Sequence, residues 1–161
     1  MENSNNVENL NRKEEKGLVI QDLNEMPMTN NPNMIASNFY TNIKDKKQLF
    51  NLEQNVDFLL NDCENKEINV KGVIIKVYVK EMKNPITDEE TGEILKDTET
   101  TMSIVLVDDK GKSYATGSKI FGVSLMRYIR IFGMEEFENG VKMKIIKQKM
   151  NEGKALNFEV L

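Results

Sequence analysis

The residues best placed to do chemistry lie in KEINVKGVIIKVYVKE, positions 66–81, a run rich in β-branched side chains that predicts one long strand. If Val73, Ile75, Val77 and Val79 face a core, then Ile74, Lys76, Tyr78 and Lys80 face outward, setting an aromatic ring between two cations. Binders of single-stranded nucleic acid use this pairing. A base stacks on the ring while the ammonium groups follow the phosphates. Lys71 begins the row, and on a predicted strand at 112–116 Lys112 and Tyr114 share a parity. A second basic run, Lys142, Lys144, Lys147 and Lys149, contains no acid, and Lys144 and Lys147 within it are further candidates for phosphate contact. Its parity changes at Ile145-Ile146, which predicts a bulge. Each of these residues also has a plain structural reading. Alternating lysines keep strand edges soluble, and a strand tyrosine often packs half-buried.

Composition narrows the chemistry further. The chain has no histidine, which removes the commonest general base and the commonest zinc ligand. Its one cysteine, Cys63, forms neither an intramolecular disulfide nor a metal site alone and reads as a small buried residue. Neither G-x-x-x-x-G-K-[ST] nor G-x-G-x-x-G occurs, and Asp88, Glu89, Glu90 and Glu93 crowd a polar turn rather than form an acid/base pair. The expectation is a protein that is not an enzyme and uses no cofactor or metal. No apolar run approaches the length of a membrane span, so a cytoplasmic protein with no membrane partner is expected.

The net charge of −4 is unevenly spread. Residues 1–38 hold six acidic and three basic side chains, and residues 82–99 hold six and two, whereas residues 140–150 hold four lysines and no acid. A local basic surface on an acidic chain is implied.

These residues need a scaffold, and the remaining pattern supplies one. Residues 1–36 contain nine asparagines and few apolar side chains, which predicts a flexible N-terminal arm ahead of a domain at 37–161. Leu49, Leu52 and Val56, with Leu59 or Leu60, fall at helical spacing behind Asp45 as N-cap and predict a helix at 45–54. The first strand changes phase at Gly72, where a bulge would turn a corner. A polar loop at 84–93 leads to strands at 99–107 and 112–116. SKIFGVSLMRYIRIFG then predicts a helix at 118–132, capped by Ser118 and ended by Gly133. Arg127 and Arg130 lie opposite its apolar face. Strands at 140–150 and 155–160 close the chain as a hairpin. Three strands, a helix and a hairpin is the order of a mainly β domain: a five-stranded OB-fold barrel with a helix between strands 3 and 4.

SNFYTNIKDKKQLFNLEQNVDFLLNDCENKEINVKGVIIKVY, the loop DEETGEI, the strand SIVLVDDKGKSYATGSK and the helix end YIRIFG together resemble small single-stranded DNA-binding proteins of phages and conjugative plasmids of Gram-positive bacteria. The resemblance spans residues 37–160. It implies an OB fold, sequence-tolerant binding of single-stranded DNA and a role in replication or transfer of a mobile element, with RNA as a further possible ligand. Housekeeping bacterial single-strand binders end in an acidic tail, whereas this chain ends in LNFEVL, so self-association is expected to fall to the N-terminal arm. The competing expectation is a structural adaptor that binds protein through the acidic loop and the arm.

Overall fold

The computed structural model describes residues 19–22 and 34–161. The order is β1 (Val19–Asp22), β2 (Met34–Thr41), α1 (Lys46–Gln54), β3 (Phe58–Leu59), β4 (Glu67–Thr87), β5 (Ile94–Asp108), β6 (Ser113–Thr116), α2 (Lys119–Phe132), β7 (Val141–Lys149) and β8 (Lys154–Val160). Short 3-10 turns follow β3 and α2.

β4 organises the rest because both of its faces and both of its edges are used. Before the bulge, Ile68 and Val70 enter the main apolar cluster; after it, Val73 and Ile75 enter the same cluster, so the parity changes at Gly72. Ile74, on the opposite face, is equally buried and belongs to a second cluster with Phe39, Leu52 and Val105. One edge of β4 pairs with β5 along almost its whole length. The other edge is divided: Glu67–Val70 pair with β7, and Ile74–Lys80 pair with β2. Gly72 makes the change possible. A Cβ built there would lie 3.1 Å from both Ile43 Cδ1 and Val107 Cβ, closer than ordinary packing allows.

The protein is mainly β, in one mixed sheet that is not closed. Its main path runs β1-β2-β4-β5-β6-β3, and the β7-β8 hairpin branches from β4. The expected five-stranded barrel therefore requires correction. Eight strands are present among the described residues, and α2 follows the sixth of them rather than the third. Among the described residues β8 pairs only with β7, and α2 packs against it, the rings of Phe121 on α2 and Phe158 on β8 lying 5.1 Å apart. Phe121, Leu125 and Ile129 fill the main cluster from that side.

Both helices start where side-chain caps place them. Asp45 Oδ1 accepts the backbone N–H groups of Lys47 and Gln48 at 2.9 and 3.3 Å, and Ser118 Oγ accepts that of Phe121 at 3.3 Å. Strand ends depart further from the sequence pattern than helix ends. β4 and β5 continue past the core into a projecting hairpin that replaces much of the expected loop at 84–93. Pro85 is tolerated there because the ladder is irregular between Glu81 and Ile86, where no N–H is required of it. Within the segment expected to be an arm, Val19–Asp22 pair with β2; residues 1–18 and 23–33 lie outside the described residues. The bulge expected at Ile145-Ile146 is absent, since β7 and β8 keep one register from Met143 to Lys149.

Gly72→Val places two methyl groups against Ile43 and Val107, so it should cost about 1–3 kcal/mol of stability. Chemical denaturation of the two proteins measures this. Pairing the change with Ile43→Ala should recover part of the loss, because one of the two obstructing side chains is then gone.

Candidate nucleic-acid interface

The outward row on β4 has the expected parity but a different environment, because α1 and Ile43 ahead of it cover that face. Lys76 Nζ lies 3.3 Å from Glu53 Oε1 of α1, and Lys80 Nζ lies 3.3 Å from Glu99 Oε1 of the neighbouring strand. Tyr78 is half-buried and packs against the cluster that α1 covers. Tyr78 is thus not the open ring between two unpaired lysines that strand parity alone suggests. The reason lies in the sequence that precedes it: Phe39, Ile43, Leu49 and Leu52 need a hydrophobic partner, and the outer face of the sheet is that partner.

Tyr114 departs from expectation in the same way. Only 2% of it is exposed, and its hydroxyl donates to Asp108 Oδ2 at 2.9 Å. The basic run on β7 is split between two faces. Lys142 and Lys144 point away from the core side that Val141, Met143 and Ile145 occupy, whereas Lys147 continues the core side beyond the core. Lys144 stands opposite Glu67 on one neighbouring strand and Glu159 on the other. Lys71 and Lys112 remain exposed.

The structure assembles a different aromatic and cationic group around β3. Asp57 and Ser113 clasp one another: Asp57 N–H donates to Ser113 Oγ at 3.0 Å, and Ser113 N–H and Oγ–H both donate to Asp57 Oδ2, at 2.9 and 3.2 Å. The backbone N–H of Ser113 holds the Asp57 carboxyl below its ordinary range, against a smaller opposing effect of desolvation. This clasp sets β3 parallel to β6, with Phe58 opposite Tyr114. The two rings stack with centroids 5.3 Å apart and planes 27° apart. Lys66 Nζ sits 5.1 Å from one centroid and 5.0 Å from the other. Its basicity is raised, first by the Tyr114 hydroxyl beside it, so the lysine keeps its charge. Desolvation in turn raises the Tyr114 phenol above its usual value.

Phe58 is 43% exposed, so it offers a ring face that is braced from behind. It borders a depression of about 460 Å³ that Leu59, Cys63 and Lys66 also line, together with the carboxylates Asp57, Asp62 and Glu64. A second depression, of about 530 Å³, begins at the shared residue Asp57 and reaches Lys47, Asn51 and Gly111. The Cys63 thiol donates to Leu59 O at 3.3 Å and is pushed up by burial.

The chain matches no family model, no curated protein and no solved structure. Its own geometry carries the functional argument from here.

Beyond the second depression the lysines gather. Asn42 ties the segment before α1 to the β4 bulge, donating to Lys71 O at 2.8 Å and accepting from Val73 N–H at 2.9 Å. The first turn of α1 holds Lys46 and Lys47 and no acid, although the positive end of a helix dipole favours carboxylates. The β5-β6 turn adds Lys110 and Lys112, whose N–H groups both donate to Asp108 Oδ1. The nearby carboxylates accept hydrogen bonds from neutral donors, Asp45 at the helix cap, Asp57 from Ser113, Asp108 from its turn and Asp109 from Asn69, and keep their charge, which Lys112 feels from Asp57. Of the candidates read from the sequence, Lys71 and Lys112 fall in this region. Phe58 and Lys66 escape a reading of the sequence because Phe58-Leu59-Leu60 continues an apolar helical pattern, while the break at Asn55–Asp57 is what turns the chain into a strand.

Asp57 contributes stability that is complete at neutral pH, because its folded carboxyl titrates below the unfolded one. That stability should shrink as the pH falls through the ordinary carboxylate value of 3.8 and below it. Asp57→Asn should flatten this part of the stability profile, which denaturant titrations at a series of acidic pH values would record.

Proposed function

We propose that the protein binds single-stranded DNA with little preference for sequence and is not an enzyme, with an open OB-like scaffold formed by the sheet from β4 to β8 and α2. The observation that carries the reading is the Phe58 ring, 43% exposed, stacked on Tyr114 and with the Lys66 ammonium over it. A base against the exposed part of the ring would extend that stack, with Lys66 beside it and Lys47 in the neighbouring depression as the cations for its phosphates. Lys112, Lys110, Lys47 and Lys71 continue the basic surface from the platform toward the β4 bulge. No base-edge reader of fixed geometry is needed for such contacts, since every base has a π-face. A buried partner ring favours this use over plain packing: Tyr114 already satisfies its own hydroxyl, and Phe58 adds a hydrophobic face that the fold leaves in water.

Phe58→Ala should weaken binding of a labelled single-stranded oligonucleotide by about 1–3 kcal/mol, roughly 5- to 150-fold, and similarly for different base compositions. Lys112→Ala and Lys71→Ala should instead lower the slope of log affinity against log salt by about 0.7 for each phosphate that the missing ammonium would have neutralised. Fluorescence anisotropy at several salt concentrations gives both readouts, and single-stranded RNA in a parallel titration tests the sugar preference. Full affinity in Phe58→Ala with an unchanged salt slope in the lysine variants would sink the proposal.

A further inference from the structure

Two surfaces remain apolar and exposed, and they carry opposite charge. The first is the outer side of α2. Ile120, Val123 and Ile131 recur there at helical spacing, and Ile131 is 67% exposed. The inner side of the same helix is occupied by Phe121, Leu125 and Ile129 in the main cluster. α2 contains Lys119, Arg127 and Arg130 and no acidic residue. The second surface is the far end of the β4-β5 hairpin, where Ile86, Ile94 and Leu95 are exposed, Leu95 by 63%. Residues 81–99 hold seven acidic and two basic side chains.

Among the described residues, no other part of the chain covers either surface. Met102 is the buried residue of β5 nearest the hairpin end, and Ile94 lies eight residues away, about 26 Å along an extended strand. The turn at the tip is nevertheless built, with Asp88 Oδ1 accepting the N–H groups of Glu90 and Thr91 at 2.7 and 2.9 Å. Those two bonds hold the Asp88 carboxyl below its ordinary range and fix the acidic turn in shape.

We infer that the hairpin tip of one molecule docks on α2 of a second copy of this chain. Leu95 meets the stripe of Ile120, Val123 and Ile131 from the hairpin face opposite Ile94, and the acidic turn lies beside Arg127 and Arg130. Arm and helix are different surfaces, so the contact is heterologous and each copy keeps one free arm end and one free helix end. Copies then add head to tail, as an open row or a ring. A hairpin tip on one helix face is a small interface, so the association is reversible and depends on concentration. Opposite charges make it weaken with salt. Neither surface includes Phe58, Lys66 or the lysines beyond them, so the inference stands independently of the nucleic-acid reading.

Sedimentation velocity of the full chain over a series of concentrations, at low and high salt, tests it. Species larger than a dimer are expected at low salt, with fewer at high salt. Leu95→Asp on the arm and Ile131→Asp on the helix should each abolish those species. Both positions are exposed, and circular dichroism verifies that the variants fold. Mixing the two variants should restore a dimer and nothing larger, because Leu95→Asp retains a sound helix face and Ile131→Asp a sound arm. If Leu95→Asp does not fold, the pair Glu89→Lys and Glu90→Lys takes its place. A chain that is monomeric at every concentration, oligomers that survive either substitution, or a mixture that stays monomeric or grows past the dimer would each overturn the inference.

Discussion

Everything in this molecule depends on a single close approach at Gly72. Ile43 and Val107 leave no room for a Cβ there, and the β4 ladder with β5 slips between Val70 and Gly72. Because of that slip, the edge of β4 facing away from β5 can serve β7 before the corner and β2 after it. The same change of parity keeps Val70 and Val73 in one cluster although they differ in strand parity. Without the corner, one side chain set would face water and β2 would lose its ladder. The split edge also lets the β7-β8 hairpin branch from β4 beside the main path of the sheet, where α2 packs on it.

The corner has a second consequence, which concerns where charge remains unpaired. Beyond Gly72 the outer face of the sheet is covered by α1, whose Glu53 pairs with Lys76, and farther along Lys80 pairs across the ladder with Glu99 of β5. Around the corner itself the backbone groups are satisfied by Asn42, and among the described residues no carboxylate is positioned on Lys71. The carboxylates near Lys47, Lys110 and Lys112 accept backbone N–H bonds instead. Identical residue types therefore do different work on the two sides of one bulge. Lys76 under α1 is held against Glu53, whereas Lys71, Lys110 and Lys112 at the corner are exposed and in no ion pair among the described residues.

Much of the architecture could be read from residue patterns, and the parts that could not have a common cause. Asp45 and Ser118 as caps, Gly133 as terminator, and the phase shift at Gly72 are local signals, decided within a few residues of where they act. The roof of α1 over β4 is not local. Tyr78 alternates with buried valines whether its face meets water or a helix, and the pattern of the strand is the same in both cases. Tyr114 shows the same limit, because its burial depends on Phe58, 56 positions earlier, arriving by a two-residue parallel pairing that has no periodicity to detect. Strand β3 is too short to leave a signature, yet it carries the exposed ring of the candidate site.

That last point bears on how such a site is made. A lone exposed phenylalanine on a two-residue strand would swing with its backbone and lose rotamer freedom on meeting a base, which reduces what stacking returns. Here the ring is held from three directions: the Asp57–Ser113 clasp fixes its backbone, Tyr114 supports its rear face, and Lys66 sits over both rings. Tyr114 is itself anchored through Asp108, which also shapes the turn bearing Lys110 and Lys112. The aromatic platform and the neighbouring cations are therefore connected through one carboxylate. For the proposed stacking on Phe58 the ring's ordering cost is met by folding, while the turn fixes only the backbone of Lys110 and Lys112 and leaves their exposed ammonium groups mobile.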